Sequence, residues 1–213
     1  MRWAHKEGLC RIVLARLERA KDVLDYGCGD GWYAARFVVA GLRTCGVDKS
    51  ARAIGFASRI VPEGRFEVAD GSAIPFPDSS FDAVTCIQVF EHMTEEAIAA
   101  ALREIARVLR PGGKLIVSVP STNRPMSKAH LRHYTVASLE AGLSGFGCIS
   151  EIVGHEARNR WSLRARKVFD NRFWLCRLPA RFFYDRFYLR RLNEVSPSSA
   201  MNLVAVLVKA PAI

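Results

Sequence analysis

The chain has 213 residues, of which 50% are hydrophobic and 24% charged, the balance of a folded globular protein rather than a disordered one. Arg and Lys recur throughout, so no window offers the roughly 20 unbroken apolar residues that a membrane-spanning helix requires. The six cysteines form no CxxC pair, which argues against a zinc site or a disulfide framework. We therefore expect reduced thiols, no metal ion and a cytoplasmic location. The formal net charge of +10 leaves room for an anionic partner.

The predicted elements alternate between strands and helices as far as residue 120. The first 22 residues are typical of an amphipathic helix, with charges where a signal peptide would have its apolar core. Five predicted strands follow, with helices between them: DVLDYG, LRTCGVDKS, RFEVADG, FDAVTCIQVF and KLIVSVP. Thr94 is predicted to cap the helix TEEAIAAALREIARVLR, and Pro111, Gly112 and Gly113 to end it. This alternation predicts a parallel sheet with helices on both faces.

Beyond Pro120 the pattern changes. A polar loop, STNRPMSKAHLRHYT, precedes a predicted helix, VASLEAGLSGFG, and a sixth strand, CISEIVGHE. The apolar run MNLVAVLVKA predicts the last strand. The chain is therefore predicted to be one α/β domain, residues 1–213, with seven strands.

A glycine-rich loop lies where the first strand turns into the first helix of the sheet. Its spacing, with Gly27, Gly29 and Gly31, is GxGxG, whereas a dinucleotide-binding loop, GxGxxG, would need glycine in place of Trp32. Asp25 would repel a pyrophosphate but would attract a ligand that carries an ammonium and a sulfonium. A glycine-rich turn without a ligand is the alternative for the loop taken alone.

Two further carboxylates follow the next two strands. Asp48 ends the second strand, 19 residues beyond Gly29, where an acidic residue can accept both hydroxyls of a ribose. Asp70 ends the third predicted strand, at the sheet edge where open α/β sheets bind ligands. Either one alone is compatible with an ordinary surface carboxylate. Three consecutive strands that end in Asp beside a glycine loop favour a ligand site.

The segment from Val23 to Pro120 resembles the class I S-adenosylmethionine-dependent methyltransferases. VLDYGCGDGWYAARF is similar to their motif I, and GVDKS to the motif that carries the ribose-binding acid. VADGSAIPFPDSSFDAVTCIQVFEHM and REIARVLRPGGKLIVSVP are similar to later motifs of the type 11-like branch, which acts on small molecules, lipids and saccharides. The resemblance implies a Rossmann-like, doubly wound α/β sheet whose seventh and last strand is antiparallel. It also implies S-adenosyl-L-methionine as cofactor and S-adenosyl-L-homocysteine as product.

The resemblance further implies a set of cofactor-binding residues: Asp25, Gly27, Gly29, Gly31, Asp48, Lys49, Asp70, Gly71 and Gln88. The three loop glycines would surround the methionine part, with Asp25 near its ammonium and Gln88 close by. Asp48 would hold the ribose diol, and Asp70 would accept a hydrogen bond from the adenine amino group. Lys49 stands where the family often has an apolar residue, and its aliphatic stem would cover the adenine ring.

The methyl acceptor would lie beyond the fourth and fifth strands. His92 and His130 are the catalytic candidates, because an imidazole can orient an acceptor or take its proton. The same two stretches supply further candidates: Glu91, Arg132, His133 and Tyr134. A packed imidazole, a helix-start carboxylate and a polar surface loop are the alternatives. The Asn/Asp-Pro-Pro-Tyr/Phe signature of many nucleic-acid and protein amino-methylating enzymes is absent from the sequence.

A basic, aromatic insertion, residues 157–200, is predicted to be helical. Residues 157–194 hold eleven Arg or Lys, three acids and nine of the 21 aromatic residues, so they carry +8 of the net charge. The family topology would place the insertion over the acceptor pocket. A helical cap, a surface for anionic lipid headgroups and a nucleic-acid surface are the three interpretations that remain open.

These patterns predict methyl transfer from S-adenosyl-L-methionine to a small-molecule, lipid-linked or saccharide acceptor. The predicted enzyme is cytoplasmic, with a peripheral contact to an anionic membrane. One alternative is an RNA or protein methyltransferase that docks through the insertion. The other is a binding module that keeps the cofactor fold without catalysis.

Overall fold

The computed structural model describes residues 3–157 and 194–210, which form a single sheet with helices packed against it. The elements in chain order are α1 (Trp3–Arg16), β1 (Asp22–Tyr26), α2 (Trp32–Val39), β2 (Arg43–Asp48), α3 (Ala51–Ile60), β3 (Phe66–Val68), β4 (Phe81–Ile87), α4 (Glu95–Val108), β5 (Leu109–Pro120), α5 (Val136–Leu143), β6 (Cys148–Ala157), β7 (Glu194–Val195) and β8 (Ala200–Val208). Short 3-10 turns cover Phe90–His92 and Pro197–Ser199. None of the helices in these two ranges is long and apolar enough to cross a membrane.

The strands lie in the order β3-β2-β1-β4-β5-β8-β6-β7. Strands β1 to β5 pair in parallel, and β8 pairs antiparallel with both β5 and β6. The predicted doubly wound α/β sheet with an antiparallel last strand is therefore confirmed. The described residues form eight strands rather than the predicted seven. The additional strand is β7, a two-residue strand that pairs with β6 at the edge of the sheet. Two residues are too few to show the period-2 alternation by which a strand is recognised in a sequence.

Both faces of the sheet are buried. Adjacent residues of one strand point to opposite faces, and Val23 and Leu24 of β1 accordingly belong to different hydrophobic clusters. Leu24 packs in the cluster that contains Ile105 of α4 and Leu139 of α5, whereas Val23 packs with Leu9 of α1. Helices on both faces explain why these strands are almost continuously apolar.

The junction between α4 and β5 differs from the prediction. Thr94 caps α4 as predicted, since its side chain accepts a hydrogen bond from the Ala97 amide at 3.3 Å. The helix ends at Val108 rather than at Pro111, and Leu109 already pairs with Phe81 of β4. The register then shifts before the regular ladder of β5 begins, so the Pro-Gly-Gly segment lies within the irregular first part of the strand.

Most of the predicted insertion lies outside the described residues, so its helical character and its position remain predictions. Its described ends are not α-helical: β6 continues to Ala157, and Glu194–Val195 and Pro197–Ser199 form a strand and a 3-10 turn. The division into one domain with an insertion at 157–200 likewise remains a prediction.

Candidate functional site

The glycine loop between β1 and α2 needs its glycines for their backbone conformation. Gly27, Gly29 and Gly31 have φ angles of 75°, 54° and 79°, in the left-handed region that other residues rarely adopt. The amides of Gly27 and Cys28 both donate to the Val47 carbonyl, at 2.8 and 3.0 Å, which fixes the loop against the end of β2. The loop is therefore held at the carboxyl edge of the sheet, as predicted.

The three glycines face different surroundings. At Gly31 an added Cβ would lie 2.9 Å from the Cα of Ala57 in α3, so this glycine allows the loop and the helix to pack closely. At Gly27 an added Cβ would overlap the side chain of Val89. At Gly29 it would meet no atom of the described residues within 4 Å, so in this part of the chain Gly29 is the loop glycine that leaves open space for a ligand.

Asp48 is bound to the glycine loop through its carboxylate. Its Oδ2 accepts a hydrogen bond from the Gly29 amide at 2.9 Å, and its Oδ1 accepts one from the Ser50 amide, also at 2.9 Å. A carboxylate offers about four lone-pair sites, so roughly two remain for ligand hydroxyls. Lys49, the next residue, is exposed.

Asp25 is a buried carboxylate with one unpartnered oxygen. The side chain is in the interior, and Oδ1 accepts a hydrogen bond from the Thr85 hydroxyl at 2.9 Å, whereas Oδ2 has no partner among the described residues. Burial raises the pKa of Asp25 to about 7, because it penalises the charged form. An unpaired buried oxygen beside an open glycine fits a cationic group on a ligand, which would stabilise the charged carboxylate.

Asp70 lies in a turn rather than at the end of a strand, and that part of the prediction is wrong. Strand β3 ends at Val68, because its partner β2 ends at Asp48, directly opposite Val68. Two residues further on, Asp70 is exposed, and its Oδ1 accepts hydrogen bonds from the Ser72 amide at 2.9 Å and the Ser72 hydroxyl at 2.7 Å. These hydrogen bonds hold the pKa of Asp70 below its usual value.

The same turn requires a glycine at position 71 for two reasons. Its φ is 94°, and an added Cβ would overlap the hydroxyl oxygen of Tyr26 at the end of β1. The turn that carries Asp70 therefore sits against the end of the strand that leads into the glycine loop.

Gln88 follows β4 in a strained conformation. Its φ is 57°, unusual for a residue other than glycine, and its amide donates to the Ser118 carbonyl of β5 at 2.8 Å. The Gln88 side chain donates to the Ser118 hydroxyl at 3.2 Å and accepts from Arg124 at 3.4 Å. Arg124 also donates to Asn202 of β8 at 3.0 Å. Such strain often occurs at functional sites, where the surrounding contacts maintain it.

On the acceptor side, the structure brings His92 and His130 together. Glu91 and His92 lie on the 3-10 turn after β4, and His130 lies in the loop after β5. The Leu131 amide donates to the Glu91 carbonyl at 2.7 Å, which ties the two segments to each other. The imidazole rings of His92 and His130 then meet edge to face, with their centroids 4.9 Å apart.

The hydrogen bonds around these rings determine which nitrogen of each imidazole carries the proton. A carbonyl can only accept, so His92 donates from Nδ1 to the Ala129 carbonyl at 2.8 Å, and in the neutral ring Nε2 then carries the lone pair. His133 likewise donates from Nδ1 to the Arg124 carbonyl at 3.1 Å, and its Nε2 accepts from Nδ1 of His130 at 2.9 Å. His130 therefore also presents an unprotonated Nε2.

Glu91 lies beside both imidazoles and is only 1% exposed. Within residues 3–157 and 194–210 its Oε2 has no hydrogen-bond partner, and burial raises the pKa of the carboxyl to about 7. Burial also lowers the pKa of His130 and of His133, which favours the neutral imidazole in both. One carboxylate oxygen of Glu91 and one ring nitrogen from each of His92 and His130 all lie within 4.8 Å of one another.

The two remaining acceptor candidates, Arg132 and Tyr134, face a different space. They line a cleft of about 940 Å³ between α4 and α5, which none of the predicted cofactor residues line. Arg132 pairs with Glu95 at 3.0 Å, and the Tyr134 hydroxyl donates to the Phe90 carbonyl at 3.3 Å. Both side chains therefore have structural partners.

Three residues at the site were not predicted from the sequence: Thr85, Arg124 and Asn202. Thr85 stands directly opposite Asp25 in the parallel register of β1 and β4. Asn202 is fully buried in β8, and its Nδ2 has no partner among the described residues. For Thr85 and Asn202 the available signal was a polar residue within an otherwise apolar strand. Such a residue does not by itself identify the side chain that it contacts.

Comparison with known proteins agrees with this geometry. Residues 24–117 match a family model described as a methyltransferase domain. A probable S-adenosylmethionine-dependent methyltransferase of Mycobacterium tuberculosis is 31% identical over 154 residues, which cover 69% of this chain and 56% of the relative. The chain thus spans about half the length of the first curated relatives that it matches.

Two other relatives act on different acceptors. The 2-methyl-6-phytyl-1,4-hydroquinone methyltransferase of Synechocystis is 36% identical over 110 residues, which cover 49% of this chain and 34% of the relative. A tRNA (carboxymethyluridine(34)-5-O)-methyltransferase of Xenopus tropicalis is 34% identical over 134 residues, which cover 62% of this chain and 20% of the relative.

Among solved structures, a S-adenosylmethionine-dependent methyltransferase of Methanosarcina mazei superposes with a TM-score of 0.65. The superposition covers 94% of this chain and 98% of the other, at 17% sequence identity. At this identity the likeness establishes the shared fold.

Proposed function

Because this chain belongs to the class I S-adenosylmethionine-dependent methyltransferases, we propose that it transfers a methyl group from that cofactor to a small-molecule, lipid-linked or saccharide acceptor. The observation that carries the proposal is Asp25, a buried carboxylate with an unpartnered oxygen, beside a loop that leaves open space at Gly29. A cofactor that carries an ammonium and a sulfonium group suits both features.

In the proposed cofactor site, each residue binds a different part of the ligand. Asp25 holds the ammonium group, and Gln88 lies near the same part. Asp48 accepts hydrogen bonds from the ribose hydroxyls with its remaining lone pairs, while its bonds to Gly29 and Ser50 keep it in place. Asp70 is the proposed partner of the adenine amino group, with Gly71 beside it and the stem of Lys49 against the ring.

The bound cofactor supplies an electrophilic methyl group on a sulfonium, so the protein has to orient the acceptor and exclude water. In their neutral forms His92 and His130 each keep a lone pair on Nε2, with which they would accept a hydrogen bond or a proton from the acceptor. Their Nδ1 hydrogen bonds hold both rings in that orientation.

The acceptor class rests on the sequence and on the charge of the insertion. From the last residue of β4 the chain reads IQVFEHM, without the signature of enzymes that hold a planar nitrogen. The +8 of residues 157–194 suits an anionic surface, so we place the protein in the cytoplasm with a peripheral membrane contact. An RNA acceptor is the second candidate, favoured by the same positive charge and by the tRNA-modifying relative.

Calorimetry with S-adenosyl-L-methionine and with NAD tests the cofactor. We expect binding of the first and no heat from the second, and the reverse would refute the proposal. Incubation with isotopically labelled cofactor and candidate acceptors, followed by mass spectrometry, then tests transfer. Cofactor binding without transfer to any acceptor class would favour the non-catalytic binding module.

The insertion is tested by sedimentation with anionic and with neutral vesicles, beside a gel-shift assay with bulk RNA. Binding to anionic vesicles without an RNA shift supports the lipid-linked acceptor, and the opposite result supports RNA. If neither binds at low salt, the insertion is only a helical cap.

A further inference from the structure

We infer that Glu91, His92 and His130 form a binding site for a divalent transition-metal ion, of the class of Mn²⁺, Fe²⁺, Co²⁺ or Zn²⁺. These ions commonly bind two imidazoles and one carboxylate. Mg²⁺ and Ca²⁺ prefer oxygen ligands, so the two imidazoles favour a transition-metal ion. The spacing of the cysteines predicted no metal site. Glu91, His92 and His130 lie in two segments that are distant in the sequence, and the fold brings them together.

The distances suit one ion. In a tetrahedral site with bonds of about 2.0–2.2 Å, the ligand atoms lie roughly 3.3–3.6 Å apart. The carboxylate oxygen and the two ring nitrogens lie within 4.8 Å of one another, so side-chain movements of up to about 0.7 Å would bring all three into reach of one ion.

The hydrogen bonds of the two imidazole rings also suit a metal ion. A metal ligand has to offer a lone pair, and the hydrogen bond of the other ring nitrogen determines which nitrogen offers it. His92 donates from Nδ1 to the Ala129 carbonyl, and His130 donates from Nδ1 to His133. In the neutral rings each Nε2 therefore keeps its lone pair, and both rings are held by the kind of outer hydrogen bond that is usual at metal sites.

Glu91 contributes a carboxyl group that is almost completely buried, and its Oε2 has no hydrogen-bond partner among the described residues. Buried polar groups are normally paired, and an unpaired one has to be explained. A cation between Glu91 and the two imidazoles would supply the missing partner. His92 is exposed and His130 is half-buried, so the site remains open to solvent on the imidazole side.

Three protein ligands leave at least one coordination position free. An oxygen atom of the methyl acceptor would bind at that position. This role of the ion rests on the proposed function, whereas the metal binding itself does not. His92 and His130 would then orient the acceptor through the ion instead of contacting it directly.

The test is titration of the EDTA-treated full chain with Co²⁺, followed by visible absorption, and with Zn²⁺ and Mg²⁺ by calorimetry. We expect one Co²⁺ or Zn²⁺ per chain and at least tenfold weaker binding of Mg²⁺. His92→Ala and His130→Ala should each lower the Co²⁺ affinity by at least 100-fold. His133→Ala, which removes an outer hydrogen bond, should lower it roughly tenfold to 100-fold.

Two variants serve as matched controls. His5→Gln removes an imidazole outside the cluster, and Glu95→Gln removes an exposed carboxylate nearby, and both should bind Co²⁺ within threefold of the unmodified chain. Circular dichroism checks that each variant is folded, and His92, being exposed, can be replaced with the least effect on folding.

Absence of stoichiometric binding at 1 mM Co²⁺, or binding that the His92 and His130 variants leave unchanged, would overturn the inference. Cofactor binding is measured separately on the metal-free chain. Metal binding without cofactor binding would refute only the proposed function, and cofactor binding without metal binding would refute only this inference.

Discussion

Replacing Gly31 by alanine tests whether the loop needs this glycine for packing as well as for its backbone conformation. With φ at 79°, any other residue costs about 1–2 kcal/mol. The new Cβ would also lie 2.9 Å from the Cα and 3.0 Å from the Cβ of Ala57. Because a helix backbone cannot rotate away as a flexible side chain can, this overlap adds about 1–3 kcal/mol. Gly31→Ala should therefore lower the free energy of unfolding by about 2–5 kcal/mol.

Gly29→Ala is the matched control. Its φ is 54° and its added Cβ would have no described residue within 4 Å, so the backbone cost of about 1–2 kcal/mol is the one that applies to unfolding. The methyl group would, however, fill the open space of the proposed cofactor site, so the affinity for S-adenosyl-L-methionine should fall at least tenfold.

Urea denaturation measures the first quantity and calorimetry the second. In a chain of this size, 1 kcal/mol also corresponds to a change in Tm of roughly 2–4 °C, which gives an independent check. A Gly31 variant within 1 kcal/mol of the unmodified chain, or a Gly29 variant that loses more stability than the Gly31 variant, would refute the reasoning.

The remaining predictions concern three further parts of the site. Asp48→Ala should weaken cofactor binding by about 2–3 kcal/mol, which calorimetry would measure as a loss of affinity of roughly 30- to 150-fold. Asp48→Asn should have a smaller effect. Unchanged affinity in Asp48→Ala would mean that Asp48 does not bind the ribose. The pKa of Asp25 is raised from 3.8 to about 7, so its contribution to stability falls as the pH rises through that window. Asp25→Asn should therefore be more stable than the unmodified chain at pH 8, by up to about 4 kcal/mol in urea denaturation, with a gain that shrinks towards pH 4; no gain at pH 8 would contradict the desolvation of this carboxylate. His92→Ala and His130→Ala should each reduce turnover at least roughly tenfold while cofactor affinity stays within a few-fold, and full activity in both would show that neither acts on the acceptor.

The sequence predicts the part of the molecule that depends on local pattern. Alternating strands and helices identify the sheet, and the GxGxG spacing locates the loop, because glycines with positive φ leave a visible signature. Asp48 stands at the end of β2, as predicted.

What the sequence did not predict depends on register and on contacts between distant segments. Asp70 lies beyond its strand because β2, not the sequence of β3, determines where the pairing stops. The contact between Asp25 and Thr85 requires the register of β1 on β4. The orientation of His130 depends on His133 and on a carbonyl six residues before His130, and no periodicity encodes such a link.

The position of β8 has a consequence for how the chain folds during synthesis. This nine-residue strand is the last element of the described chain, yet it lies between β5 and β6 and pairs with both. While residues 200–208 are still within the ribosome, β5 has an unpaired edge and β6 has no neighbour to join it to the sheet. Exposed strand edges and late non-local pairing favour aggregation. A product truncated before Ala200 would therefore lose the connection between the two parts of the sheet, and it would accumulate as insoluble protein even though every residue of the glycine loop was present.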